Sequence, residues 1–166
     1  ILTMTSFNIS AAYDYYHEHI NRTERFALLR AHNIDIPGSV SSKDWELFGS
    51  LLTGKQRRTR YGADLGEFEV KSAVVGESFE YQYHLKSGLQ KLGEDMRIDH
   101  IFISYSKDYQ HVTVRHIPGA VLAPTFETWR HGLIENYSGT NRKLRYRKSI
   151  TYTQVVQHGV VIMQIA

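Results

Sequence analysis

Cysteine is absent from the 166-residue chain, and with it go disulfide scaffolds, cysteine-zinc sites and thiol nucleophiles. Such a chain fits an intracellular, cytoplasmic protein. No apolar run is long enough to span a bilayer and no signal-peptide pattern opens the sequence, so a soluble protein without a membrane partner is expected. Glycine-rich phosphate loops and Gly-x-Ser-x-Gly elbows are missing too, which removes two common routes to nucleotide binding and serine catalysis. Nor is there an internal repeat, a low-complexity tract or an interdomain linker.

What remains is 42% apolar, enough to bury a core without staples, and residues 1–166 are expected to form one domain. The first residue is Ile1 and not Met, which points to processing, trimming or a longer parent chain. Net charge is +3, but its distribution carries more information than its sum. Lys55 to Arg60 holds four basic residues and Arg142 to Lys148 five, neither with an acid. Of twenty basic residues, eleven are left to face seventeen acids elsewhere. Segregation of this kind fits a polyanionic partner, or else two solvated loops.

Periodicity outlines the elements. Ser10 is placed to cap a helix bearing Tyr13, Tyr16 and Ile20, and Thr23 to cap a second with Phe26 and Leu29 inward. Lys43 to Thr53, between Ser42 and Gly54, spaces Asp44, Leu47, Phe48, Leu51 and Leu52 helically. Phe79 to Leu85 alternates strictly and, across the Gly76-Glu77-Ser78 turn, reads as the second arm of an antiparallel hairpin. Leu85, Leu89, Leu92 and Met96 follow at helical intervals. Asp99 to Tyr105 is apolar enough for a central strand, with His111 to Ile117 pairing near it. Phe126, Trp129, Leu133 and Tyr137 form a helical stripe; Lys143, Arg145 and Arg147 form one basic strand face; Val155 to Ile165 reads as a buried strand. The sum is an α/β fold with a mixed central β-sheet flanked by helices.

The first arm of that expected hairpin carries the chemistry. From Glu67 to Val75, Phe68, Val70 and Val74 face one way while Glu67, Glu69 and Lys71 face the other. The charged face is therefore either solvated or set in a cleft. Asp64 lies five residues before Glu69, beyond a tight Leu65-Gly66 turn, and Glu69-Val70-Lys71-Ser72 completes a D…G…E-x-K-S run.

On these residues the chain resembles the PD-(D/E)xK nuclease superfamily, in particular type II restriction endonucleases and the related mismatch-repair nicking enzymes. The motif covers Asp64 to Ser72, and a weaker similarity of element order extends over residues 43–106; Ala63 stands where many members carry proline. The resemblance implies a restriction-endonuclease-like fold in a prokaryotic cytoplasm. It also implies Mg²⁺ held by Asp64, Glu69 and the Val70 carbonyl, with Lys71 positioning or deprotonating the attacking water. Carboxylate oxygens suit this hard cation, which neutralises charge building on a phosphodiester. Glu46 matches the extra acid that some members supply from the preceding helix, against the plain reading of a solubilising charge. Glu67 is a rim residue. Glu80, Gln82 and His84 lie on the polar face of the next strand, either solvated or, if that face adjoins Glu69 and Lys71, at the scissile phosphate.

The partner this implies is double-stranded DNA. Arg57, Arg58 and Arg60 precede Asp64 closely enough to clamp phosphates near the cut, and the Lys143, Arg145 and Arg147 face suits a groove or the backbone. Type II restriction cleavage of a short site to 5′-phosphates is the leading expectation. The alternatives are a repair or junction-resolving nuclease and a non-catalytic DNA-binding specificity module. A monomer cutting the strands in turn and a homodimer matching a palindromic site both fit.

Overall fold

The computed structural model describes residues 6–56 and 66–166. Its first helix, α1 (Ile9–Tyr15), is capped by Asn8, whose side chain accepts from the Ala11 N–H, and not by Ser10. It runs on into a wider turn over Tyr16–Ile20, closed by a 2.8 Å bond from the Asn21 N–H to the Tyr16 carbonyl. Thr23 opens α2 (Thr23–Ala31) from inside the helix and does not cap it. In α3 (Ser42–Thr53) the Asp44 carboxylate reaches back to the Ser41 N–H at 3.1 Å, and Gly54 ends the helix at φ +71°. Its buried stripe is Trp45, Phe48 and Leu52, whereas Leu47 and Leu51 face out.

Six strands follow: β1 (Phe68–Val74), β2 (Phe79–His84), β3 (Asp99–Tyr105), β4 (Val112–Ile117), β5 (Arg145–Ile150) and β6 (Val160–Ile165), interspersed with α4 (Gly88–Asp95), α5 (Gly119–Ser138) and α6 (Tyr152–His158). Four of them form a mixed sheet in the order β1-β3-β4-β6, with β1 and β3 parallel and the remaining pairs antiparallel. Helices cover both of its faces. The mixed α/β architecture expected from the periodicity is the one observed.

The expected hairpin does not form. β1 pairs with β3, in register Glu69 with His100 and Lys71 with Phe102, while β2 joins β5 in a separate two-stranded antiparallel sheet. The reason lies in apolar content. β3 is buried on both faces and takes the central position, which leaves β1 on its flank. β2 has one aromatic row, Phe79, Tyr81 and Tyr83, all 1% exposed, and buries it against the Phe126, Trp129 and Leu133 stripe of α5.

Two apolar clusters result, one on each face of the four-stranded sheet. Phe68, Val70, Ile101 and Ile103 pack under α1, α2 and α3. Phe102 and Ile117 pack under the β2–β5 ribbon, α4, α5 and α6. The last segment also departs from expectation. A capping box, with the Gln154 N–H donating to Thr151 Oγ1 and the Thr151 N–H to Gln154 Oε1, each at 3.1 Å, starts α6, which takes Val155 to His158 out of the expected strand. Only Val160–Ile165 is extended, and it lies at the sheet edge with Val160 and Val161 exposed. No helix among the described residues is long and apolar enough to cross a membrane.

Candidate active site

Alternation along β1 sends Phe68 and Val70 toward α3 and sends Glu69 and Lys71 toward α4 and β2. Glu67, just before the strand, stays outside and pairs with Lys55 at 3.2 Å. The charged face is thus neither solvated nor an open cleft at Glu69, whose side chain is 4% exposed. An ionised carboxylate is stable there only with compensating charge. Lys71 Nζ lies 3.4 Å from Oε1 and Lys91 Nζ 3.1 Å from Oε2.

Lys91 is a residue that periodicity and motif do not single out. It stands on α4 one turn before Asp95, and its ammonium bridges Glu69 to Asp95 Oδ1 at 2.6 Å. The sequence shows Lys91 one turn before Asp95, but that Gly88, Leu92 and Asp95 share the buried face of α4 is settled only by the fold. Tyr83 donates to Asp95 Oδ2 at 2.7 Å. His100, in register with Glu69, donates from Nε2 to the Asp95 carbonyl at 2.8 Å; its Nδ1 therefore accepts from the Tyr81 hydroxyl at 2.8 Å. The Tyr81 ring lies under Lys71, 4.5 Å from Nζ to the centroid.

Electrostatics follow from this wiring. Burial alone would raise the Glu69 pKa, but Lys91 and Lys71 outweigh it and hold the carboxyl below its ordinary range. Burial opposes the charge on Lys91, yet Glu69 and Asp95 prevail and keep it firmly protonated. Asp95 is raised by burial and by the Glu69 charge, with Lys91 pulling the other way. Burial drops His100 to about 4, so its ring is neutral. Two acids and two amines are in contact, and Lys91, kept protonated by its partners, serves as a fixed positive charge and not as a base.

The other anticipated residues are distributed as follows. Asp64, Arg57, Arg58 and Arg60 lie outside the described residues. Val70 buries its side chain against Gly49. Glu46 is half-buried on α3, which packs on the opposite face of β1 from Glu69. Gln82 and His84 are on the wrong face of β2 to reach Lys71, because the aromatic row faces the site; Gln82 bonds Arg145 instead and Glu80 pairs with Arg147. Arg145 and Arg147 stand exposed on β5, while Lys143 precedes the strand and is held through its backbone by Asn136 at 2.9 and 3.0 Å.

As a metal donor, Glu69 offers oxygen, the ligand that Mg²⁺ prefers. Among the described residues no three His, Cys, Asp or Glu side chains group closely enough to hold an ion. No protein-family model matches the chain, and no curated protein is similar to it in sequence.

Proposed function

We propose that the protein is a Mg²⁺-dependent endodeoxyribonuclease of the type II restriction kind, hydrolysing phosphodiester bonds in a short duplex site to leave 5′-phosphates. The observation that carries this reading is the burial of Glu69 with Lys71 beside it on the E-x-K strand. A solubilising Glu-Lys pair has no reason to be desolvated, since removing its charges from water costs several kcal/mol per ion at order of magnitude. Glu69, with Asp64 and the Val70 carbonyl, would hold the ion, which when bound neutralises charge on the scissile phosphate. Lys71 orients the attacking water. Lys91, kept protonated, would supply positive charge near the phosphate oxygens, and Asp95 holds its ammonium in place.

Both Glu69 oxygens are engaged by lysines, and this favours a second reading, in which the cluster only braces a DNA-binding module. The two readings separate on linear duplex DNA incubated with Mg²⁺. Cleavage predicts discrete fragments with 5′-phosphate ends, abolished by chelator and reduced about 10²–10⁴-fold in Lys71→Ala. The bracing reading predicts DNA binding with no fragments under any divalent metal. Discrete ends on plain duplex would also separate restriction from shape-directed repair or junction cleavage.

A further inference from the structure

The β2–β5 ribbon presents a second polar face whose composition differs from that of a phosphate clamp. In register Gln82 with Arg147 and His84 with Arg145, alternation places Glu80, Gln82 and His84 beside Arg145 and Arg147 on the side away from the aromatic row. Glu80, Gln82, Arg145 and Arg147 are exposed and His84 is half-buried, and the arginines meet diagonal neighbours. Arg145 Nη1 donates to Gln82 Oε1 at 3.1 Å, and Arg147 Nε lies 3.6 Å from Glu80 Oε1. His84 accepts the Lys86 N–H on Nδ1 at 3.2 Å, which leaves Nε2–H as its outward donor.

A surface that only neutralises phosphate gains nothing from a carboxylate in its row. Glu80 would repel the backbone, and Gln82 would contribute no charge. Base edges, in contrast, require mixed donors and acceptors: a guanidinium for guanine O6 and N7, an amide for adenine, a carboxylate for the cytosine amino group. The shape agrees, because a two-stranded antiparallel ribbon fits a major groove about 12 Å wide. Arg145, already hydrogen-bonded to Gln82, loses less freedom on binding. The same strand, turned over, sets Tyr81 under Lys71 and Tyr83 on Asp95, so this face and the candidate active site share one six-residue element.

We propose that the outward face of the ribbon reads base edges in the duplex major groove, with Arg145 and Arg147 each selecting a guanine. The proposal rests on the nuclease reading for its choice of DNA as the ligand. It is tested without cleavage, by selecting bound duplexes from a random library with the intact protein in chelator. The expected result is an enriched motif containing guanine. Arg145→Ala and Arg147→Ala each relax one position and weaken binding to the motif about 10–100-fold, with non-specific affinity nearly unchanged. Arg147→Lys retains charge but not the planar fork, so it relaxes the same position while the salt dependence stays as in wild type. Absence of any enriched motif overturns the proposal. So does uniform weakening across sequences with a drop of about 0.9 in salt slope per arginine, the signature of a phosphate contact. An enriched motif without Mg²⁺-dependent cleavage would sustain the ribbon and sink the nuclease; cleavage without sequence preference would sink the ribbon and the short-site specificity and leave only metal-dependent phosphodiester cleavage standing.

Discussion

Asp95 is 0% exposed and carries the heaviest electrostatic demand in the cluster, for each of its oxygens has one donor, Lys91 on Oδ1 and Tyr83 on Oδ2. Tyr83→Phe removes one of them without changing the ring, and a stability loss of about 1–3 kcal/mol is expected in urea unfolding. His100 gives the cluster a pH signature. Its folded pKa near 4 lies below the ordinary 6.5, so on acidification the unfolded chain takes up the proton first. The stability tied to neutral His100 is fully present above pH 6.5 and is lost as pH falls toward 4, by about 3 kcal/mol at most. A pH series of urea midpoints checks this, and His100→Asn should flatten the slope within that window. At this scale the shared direction of Glu69 and Lys71 was legible, because a period of two needs no knowledge of partners. Lys91 was not, since its meaning depends on which strand α4 lies against.

Elements show the same division between direction and partnership. Alternation correctly assigned the two faces of β1 and of β2, but it could not say that β3 would claim the flank of β1 and leave β2 to β5. Strand pairing is a competition for burial, decided by residues such as Phe102 and Trp129 that are remote in sequence. The helices were more legible because their apolar spacing is local, although the caps expected at Ser10 and Thr23 fell elsewhere; the apolar run from Val155 hid the capping box at Thr151 and Gln154 that starts α6. The α3–β1 contact offers a test of how the site strand is supported from behind. A Cβ at Gly49 would lie 2.7 Å from Val70 Cγ2, and a β-branched side chain has little room to turn away. Gly49→Ala should therefore cost about 1–3 kcal/mol, with Val70→Ala recovering part of the loss in a double-mutant cycle. Additive effects would mean that the helix does not press on the strand at this point.

Across the whole molecule the central sheet joins two cores, and β3 feeds both, Ile101 and Ile103 into one and Phe102 into the other. The two tryptophans report on them separately: Trp45 lies in the first and Trp129 in the second. If the sheet couples the layers, the remaining tryptophan in Trp45→Phe and in Trp129→Phe should unfold in urea together with that variant's far-UV circular dichroism. A fluorescence transition that precedes the dichroism in either variant would show that the two layers melt independently. Segregated charge is also a property of this scale. Of the second basic window, Arg145 and Arg147 stand exposed on β5 while Lys143 precedes the strand, and the sequence alone could not reveal that Gln82 and Glu80 would stand beside these arginines.

In the proposed function Glu69 is the carboxylate of a metal-dependent phosphodiester-cutting centre. Its most direct test is the rate at which supercoiled DNA is broken in Mg²⁺ by wild type and by Glu69→Gln, with duplex binding measured alongside. The prediction is Mg²⁺-dependent nicking or linearisation by wild type and a loss of at least about 10²-fold in the variant while binding persists. Wild type that breaks no DNA with any divalent metal, or a Glu69→Gln protein that cuts as fast as wild type, would contradict it.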